Sequence, residues 1–297
     1  MTNSPVGPPA RLQAGPPAEP SADQSADPSA APSAAPSADP SADKSADPSA
    51  DPWAALRRHT PARIALGRAG TSLPTHELLR LAAAHAEARD AVWVALDGPA
   101  LANTLHAQGW ATLPVHSRAP DRVTYLRRPD WGRRLDADSA QRLQTAAAAA
   151  TGPVDLAIVL GDGLSARAVQ QHALPLLAAL QPLLDAGRAL APLVVAHQAR
   201  VALADEVGAL LQARLVLMLL GERPGLSAPD SLGAYLTYQP AVGCTDAQRN
   251  CVSNIRPGGL PPVQAAQRLA WLLHEALRRR VSGVALKDDS AAALLAG

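Results

Sequence analysis

The stretch Arg214-Leu-Val-Leu-Met-Leu-Leu-Gly-Glu-Arg-Pro-Gly-Leu226 joins an apolar run to a charged turn. The run carries one charge, at its first residue, and is too short for a full helix, so it predicts a strand buried on both faces. Gly221 ends the run, and the proline and glycine that follow favour a fixed loop presenting Glu222 and Arg223 side by side. Ligands in open α/β sheets bind just beyond the carboxyl ends of strands, so this loop is a candidate binding site. A solvated strand-to-turn exit is the alternative, and the loop alone favours it.

Strands and helices alternate along the C-terminal half of the chain. Further apolar runs occupy Val154–Leu160 and Leu190–Ala196, and Ala234–Tyr238 is a candidate fourth strand. Helical segments separate the first three strands. The alternation predicts an α/β fold with a parallel sheet flanked by helices, a Rossmann-like architecture. We assign this domain to residues 151–297, because a Thr-Gly-Pro sequence marks its start.

Three loops leave the carboxyl ends of the predicted strands, namely Gly161–Ser165, Gln198–Val201 and Gly221–Leu226. A parallel sheet brings such ends to one edge, so the three loops should share a crevice. The polar stretch Arg249–Asn254 should join them there. This convergence is a prediction from topology, and it is a stronger signal than any single loop.

Residues 1–52 form a segment of low complexity, in which the unit Ser-Ala-x-x repeats eight times between Ser21 and Pro52. The segment has little besides alanine methyl groups to bury and cannot offset the entropy of ordering, so we expect a disordered, extended tail. Its seven acidic and two basic side chains give it a charge of −5, which leaves the rest of the chain at +6. An inert spacer is the favoured interpretation, with a docking, solubilising or targeting segment as the alternative.

Residues 53–150 are expected to form a mainly helical domain that contacts a partner. Its longest helix should run from about Pro74 to Leu96, because apolar residues recur there at three- and four-residue spacing. The predicted buried face consists of Leu78, Leu81, Ala82, His85, Ala88 and Val92.

The stretch Ser117–Leu135 places six arginines in an irregular segment of this domain. Arginine forks suit carboxylate or phosphate groups. Tyr125, Leu126 and Trp131 would be poorly placed on a free surface, so we expect them to be buried against a partner or ligand. A solvated basic loop is the alternative.

The composition argues against several functional classes. The chain has 297 residues, 47% of them hydrophobic, a net charge of +1 and no phenylalanine, and it lacks the base-stacking pattern of single-strand nucleic-acid binders. Two cysteines, Cys244 and Cys251, are too few for a disulfide framework or a zinc site. No run reaches the roughly 18 apolar residues of a membrane span, and no signal-peptide pattern opens the chain. We therefore expect no metal site, no nucleic-acid or membrane partner, and a cytoplasmic location.

The familiar catalytic and nucleotide-binding fingerprints are absent from the sequence. No Gly-x-Gly-x-x-Gly follows a strand, and no Walker phosphate loop or Gly-x-Ser-x-Gly elbow occurs, which counts against a nucleotide-dependent enzyme acting alone. Ser165 with His172 or His197 would need to meet in space, with an oxyanion hole, to act as a hydrolase; core or surface histidines are the commoner explanation. Cys251 could be a nucleophile, but an inert thiol is commoner.

Seven short motifs occur together and in chain order. They are Ser72-Leu-Pro-Thr75, Arg118-Ala-Pro-Asp121, Tyr125-Leu-x-Arg-Pro-Asp130 with Gly132-Arg-Arg-Leu135, Asp162-Gly-Leu-Ser165, Gly221-Glu-Arg-Pro-Gly-Leu226, Ser231-Leu232 and Cys251-Val-Ser-Asn-Ile255. Through them residues 54–287 resemble the small (light) subunit of ethanolamine ammonia-lyase, and the tail before Trp53 lies outside the resemblance. Each motif is short, but the ordered set is highly specific.

The resemblance implies an adenosylcobalamin-dependent lyase that converts ethanolamine to acetaldehyde and ammonia. A large barrel subunit would carry the substrate site and the catalytic residues, and the small subunit, inactive alone, would close over the cofactor at the interface. The family's cobalamin-contact positions correspond to Val201, Glu222 and Cys251. Further candidates for cofactor binding are Asp162, Arg223 and Asn254.

The resemblance also implies a form of the cofactor and a location. The Asp-x-His-x-x-Gly signature of base-off cobalamin proteins is absent, which agrees with a base-on cofactor whose own benzimidazole stays on cobalt. Relatives can sit in bacterial microcompartments, so the resemblance adds that location as an alternative to the cytoplasm. The rival interpretation is a non-catalytic α/β ligand-binding or assembly protein.

Overall fold

Six strands form one sheet in the computed structural model, which describes residues 54–60, 62–150, 152–185 and 187–291. The strands are β1 (Thr112–His116), β2 (Val154–Gly161), β3 (Leu193–His197), β4 (Ala213–Gly221), β5 (Leu232–Tyr238) and β6 (Arg249–Ile255). The helices are α1 (Thr75–Trp93), α2 (Gly98–Ala107), α3 (Arg122–Arg127), α4 (Ala137–Ala149), α5 (Ala166–Leu180), α6 (Leu203–Leu210) and α7 (Pro262–Arg279). The predicted tail lies outside the described residues.

The sheet is mixed, with the strand order β1-β3-β2-β4-β5-β6. The first four strands in this order are parallel to their neighbours, whereas β5 is antiparallel to both β4 and β6. The α/β prediction is confirmed, but the prediction of a parallel sheet is wrong for β5. A parallel connection needs a crossover of about a dozen residues or more, usually a helix. The short segment 222–231 holds no helix, so the chain returns as a hairpin instead.

Helices cover both faces of the parallel strands. Leu156, Ile158 and Leu160 of β2 lie in a core shared with α2, α5 and α7, while Ala157 and Val159 lie in a second core shared with α4 and α6. Successive residues of β4 alternate between the same two cores. The apolar run is therefore buried on both faces, as predicted.

One part of the sheet is left open near the carboxyl edge of β4. On the first face, α7 packs over β5 and β6 through residues such as Leu236 and Val252. On the second face Tyr235 is only half-buried, and Cys251 and Ser253 are exposed. Within the described residues, α6 covers the other end of these strands, where Asp205 forms a buried ion pair with Arg249.

The two edge strands were not predicted. Pro114 interrupts the apolar pattern of β1, and an edge position tolerates the missing N–H because no strand among the described residues pairs with the outer side of β1. The sequence of β6 is polar, and was not predicted as a strand, because one face of this strand is exposed to solvent. Since β1 pairs with β3, part of the predicted helical domain belongs to the same sheet, and the described residues fall in one compact unit. The division at residue 150 stays a prediction.

The predicted buried face of α1 is only partly right: Leu81, Ala88 and Val92 are half-buried, whereas Leu78, Ala82 and His85 are exposed. Leu78 is 48% exposed, and the residues that point inward most completely are Glu77, Ala84 and Ala91. Helical spacing identifies a stripe but not which stripe meets the core, and small alanines allow the closer approach here. The helix also ends at Trp93, before the predicted Leu96. No helix in the described ranges is long and apolar enough to cross a membrane.

Candidate functional site

The three loops predicted to converge meet at the carboxyl edge of the sheet. The Leu164 amide donates to the carbonyl of Gly221 at 2.9 Å, which joins the first loop to the third. The Asp162 carboxylate accepts from the amides of Gln198 at 2.8 Å and Ala199 at 2.9 Å, which joins the first loop to the second. These hydrogen bonds join the three loops to one another.

Two glycines allow the first and third loops to touch. Gly163 has a φ of +57°, and a Cβ there would overlap the carbonyl oxygen of Gly221. A Cβ on Gly221 would in turn overlap the carbonyl oxygen of Ser165. The close approach of the two backbones therefore requires glycine on both sides.

Hydrogen bonds hold the turn Gln198–Val201 on several sides. Its amides donate to Asp162, the Ala199 carbonyl accepts from the Tyr125 hydroxyl at 3.0 Å, and the Arg200 amide donates to Gly132 at 2.8 Å. These bonds hold Gln198 at a φ of +52°, which is unusual for a residue with a Cβ. Val201 is thereby presented to the cleft beside it.

Asp162 lies behind the cleft rather than in it. Its side chain is buried, and Arg122 lies 3.8 Å away while donating to the carbonyls of Val92 and Gly163. Burial raises the pKa of this carboxyl, and its bonds to the two amides and the charge of Arg122 oppose that rise. Asp162 therefore acts on the shape of the neighbouring loop.

Tyr125 is fully buried within its own chain. Its ring lies 4.7 Å from the guanidinium carbon of Arg122 and 4.2 Å from that of Arg200, at distances typical of cation–π contacts. The expectation that this side chain is buried is confirmed, but the turn at Ala199 covers it rather than a partner. Leu126 and Trp131 remain half-buried.

Glu222 is held between the base of the β4–β5 hairpin and β6. Its carboxylate accepts from the Ser231 hydroxyl and, at 3.3 Å, from the Asn254 amide. Gly233 leaves the space that this carboxylate occupies, since a Cβ there would lie 2.8 Å from Oε1. The side chain stays partly exposed, so it can accept further hydrogen bonds.

Cys251 lies opposite Tyr235 on the open face of the sheet. Desolvation and then the negative charge of Glu222 raise the pKa of the thiol, while a hydrogen bond with Tyr235 lowers it. The thiol is therefore protonated at neutral pH and a poor nucleophile.

We expect the thiol of Cys251 to react faster with iodoacetamide in a Glu222→Gln variant than in the wild type at pH 8. Removing the negative charge lowers the thiol pKa and raises the thiolate fraction. Alkylation rates followed by mass spectrometry measure this, with Cys244 in the same chain as the internal control. Equal rates at Cys251 in both proteins would show that the two side chains are not coupled.

A cleft of ≈ 430 Å³ brings several of the predicted residues together. Val201, Glu222 and Arg223 line the cleft directly. Asp162 and Asn254 do not line it; Asp162 binds a neighbouring loop, and Asn254 donates to Glu222. Cys251 lies beside the lining residue Tyr235 on the next strand. Sequence reasoning missed Arg200 and Tyr235 as lining residues. Tyr235 could have been predicted. Side chains alternate between the two faces along the predicted strand Ala234–Tyr238, so Tyr235 lies on the opposite face from Ala234 and Leu236, and its polar hydroxyl suggests that this face is not fully buried.

A second cleft, of ≈ 480 Å³, lies between α1 and the segment before it, behind the same hairpin loop. Its Glu77 pairs with Arg80 at 3.1 Å, and its Arg63 donates to the carbonyl of Leu226 at 3.1 Å. These polar groups already have partners inside the chain. The cleft at the sheet edge is therefore the better candidate for a ligand.

The serine and histidines considered for hydrolysis do not form a triad. Ser165 caps α5 and donates to the carbonyl of Pro229, while His172, two turns further along the helix, meets Asp230 at 3.1 Å. Both contacts anchor the hairpin loop. His197 is stacked on His116 at a separation of 6.0 Å. In the part of the chain that the structure describes, no group of three or more side chains is arranged to hold a metal ion.

The fold and the site together define an open-sheet α/β protein with a loop-built cleft at the carboxyl edge of the sheet. The chain belongs to the family of ethanolamine ammonia-lyase light chains, whose family model (EutC) matches residues 50–287.

Relatives of high similarity bear the name ethanolamine ammonia-lyase small subunit. One from Ralstonia nicotianae is 59% identical over 244 residues, which cover 82% of this chain and 90% of the relative. One from Pseudomonas syringae pv. tomato is 55% identical, with coverage of 80% and 83%. One from Pseudomonas aeruginosa (strain UCBPP-PA14) is 54% identical, with coverage of 82% and 90%.

Proposed function

We propose that this chain is the small subunit of an adenosylcobalamin-dependent ethanolamine ammonia-lyase, a carbon–nitrogen lyase that converts ethanolamine to acetaldehyde and ammonia. It acts in a hetero-oligomer with the large subunit, and the cytoplasm is its location, with a bacterial microcompartment as the alternative. Family membership supports the reaction. The observation that carries the cofactor role is the cleft lined by Val201 and Glu222, with Cys251 beside it on an open sheet face.

The residues in the cleft fit a corrinoid. Such a ligand offers amide groups around its rim, ribose hydroxyls and flat apolar surfaces, and it needs acceptors and apolar contacts in return. Glu222 supplies a partly exposed acceptor, and Val201 and Leu164 supply apolar surface. The Nε of Arg200 is a buried donor without a partner in the described residues, which fits a ligand that accepts a hydrogen bond.

The cleft is too small to enclose the whole cofactor. Its volume falls near the lower end of the roughly 300–1,000 Å³ of pockets that enclose drug-sized ligands, and a corrinoid with its nucleotide tail is considerably larger. The open face around Cys251 and Ser253 therefore forms one wall of a shared site, and the large subunit closes it.

The division of labour follows from these side chains. The bound cofactor, with its benzimidazole on cobalt, supplies the radical chemistry. The side chains of this chain position the cofactor. Glu222 orients a hydrogen-bond donor of the cofactor, and Val201 limits how deeply the cofactor enters the cleft. The neutral thiol of Cys251 allows the cofactor to approach closely. We assign no described side chain of this chain a role on the substrate and place the catalytic residues on the large subunit.

Reconstitution tests the proposal. The purified chain is mixed with an ethanolamine ammonia-lyase large subunit, adenosylcobalamin and ethanolamine; complex formation is followed by size-exclusion chromatography and acetaldehyde by a coupled assay. We expect a stable complex and acetaldehyde only when both subunits are present. A chain that forms no complex and supports no acetaldehyde formation would instead be a non-catalytic ligand-binding or assembly protein.

Replacing Glu222 with alanine should weaken cofactor binding by about tenfold, the value of one charge-assisted hydrogen bond. Turnover at saturating cofactor should stay close to that of the wild type, because the carboxylate positions the cofactor and does not take part in bond breaking. Cofactor titration of the reconstituted complex measures both quantities.

Glu87→Ala, which removes an exposed carboxylate on α1, is the matched control and should change neither quantity. Loss of turnover by Glu222→Ala with unchanged cofactor affinity would instead assign Glu222 a part in the reaction.

A further inference from the structure

Arg200 has an unusual environment for a partly buried arginine. It forms no ion pair with any acidic side chain in the described ranges, although its guanidinium stacks on the ring of Tyr125. One guanidinium nitrogen makes a long contact of 3.4 Å to the Tyr125 carbonyl, and Nε is buried without a partner. The charge of Arg200 therefore meets only the ring and carbonyl of Tyr125, and the buried Nε–H has no partner in the described residues.

The stacking on Tyr125 restricts the orientation of the Arg200 guanidinium. Gly132 gives the side chain its place, since a Cβ there would lie 2.8 Å from the Arg200 Cγ and 3.0 Å from the Tyr125 ring. An arginine held flat in this way loses little conformational freedom when it accepts an anion into its fork. Leaving a buried donor unsatisfied is costly, so a ligand that pairs with it gains affinity.

The charges that line the cleft favour a ligand with one anionic group. Arg200 and Arg223 contribute two positive charges, and Glu222 is the one acidic residue in the lining among the described residues. Glu222 accepts from the neutral donors Ser231 and Asn254 and forms no ion pair with Arg200 in the described residues. The cleft thus combines an acceptor for amide N–H groups with a separate cation.

We propose that Arg200 forms an anion subsite in this cleft and binds the phosphate diester of the cofactor's nucleotide tail. The inference rests on the proposed function, because it assigns one residue to one chemical group of the same cofactor. The phosphate is the anionic group that distinguishes cobalamin from its tail-less analogue, and arginine forks match phosphate oxygens in geometry as well as in charge.

Corrinoids with and without the phosphate test the assignment, and cobinamide phosphate and cobinamide differ in that group alone. The complex of this chain with the large subunit is titrated with cobalamin, cobinamide phosphate and cobinamide, and binding is followed through the corrinoid absorbance after rapid gel filtration. The variants are Arg200→Gln, which removes the charge, and Arg200→Lys, which keeps the charge but not the fork. Arg167→Gln, which removes an exposed arginine outside the cleft lining, is the matched control.

We expect Arg200→Gln to weaken the binding of cobalamin and cobinamide phosphate by roughly ten- to a hundredfold and to leave cobinamide binding unchanged. The lysine variant should recover part of the loss, and the control should match the wild type. Equal weakening of all three corrinoids would make Arg200 a packing residue and overturn the subsite, as would an equal effect of Arg167→Gln. If the wild-type complex binds none of the corrinoids, the proposed function itself fails, and the subsite fails with it.

Discussion

Gly163→Ala is expected to lower the free energy of unfolding by roughly 2–5 kcal/mol. An L-residue at a φ of +57° costs about 1–2 kcal/mol, and overpacking typically costs about 1–3 kcal/mol. The added Cβ meets the backbone oxygen of Gly221, which cannot move without breaking the Leu164 hydrogen bond at the edge of the sheet. Denaturant unfolding followed by circular dichroism measures the change.

Two other glycines separate the contributions to this effect. Gly109 has a φ of +84° but open space around its Cβ position, so Gly109→Ala should show the backbone cost alone. Gly152 has neither a positive φ nor a close neighbour, and Gly152→Ala should be nearly neutral. If Gly163→Ala is no more destabilising than Gly109→Ala, the two loops do not interlock as described.

Asp162→Ala is expected to lower the free energy of unfolding by about 3–5 kcal/mol, because it leaves buried amide and guanidinium groups without their hydrogen-bond or ion-pair partner. The amides of Gln198 and Ala199 lose their acceptor, and Arg122 loses the nearest carboxylate. The turn that presents Val201 then loses its support, so cofactor affinity of the assembled enzyme should fall together with stability. Thermal unfolding and cofactor titration measure the two effects.

Two further variants serve as controls for the Asp162→Ala result. Asp162→Asn keeps one carbonyl oxygen and should lose less stability than the alanine variant. Asp138→Ala, at an exposed position in α4, should leave stability within about 0.5 kcal/mol of the wild type. A wild-type unfolding midpoint for Asp162→Ala would show that the carboxylate does not hold the turn.

Much of the site could be predicted because its signals are local. An apolar run such as Arg214–Leu220 can lower its free energy only by burial, and glycines and prolines at its end mark where the backbone turns. Parallel β1–β4 bring their carboxyl ends to one edge, so the three loops had to meet there. The ordered motifs also placed residues 54–287 in a family that the comparisons confirm through the match to residues 50–287.

Other features depend on contacts between residues far apart in sequence, which no local pattern contains. The strand β6 is recognisable only once β5 offers it a hairpin partner and α7 covers one of its faces. Which residues of α1 are buried likewise depends on the neighbouring elements against which the helix packs. Tyr125 was correctly expected to be buried, but the covering group is the turn at Ala199, 74 residues further along the chain.

By itself, the sequence determined the α/β class, the loop at Gly221–Leu226 and the edge at which the loops gather, since turn chemistry and hydrophobic burial act over short stretches. Only the tertiary structure decided the roles within that edge. It placed Asp162 behind the cleft, Glu222 in its wall and Arg200 with an unpaired donor, because hydrogen-bond partners and desolvation are set by neighbours in space.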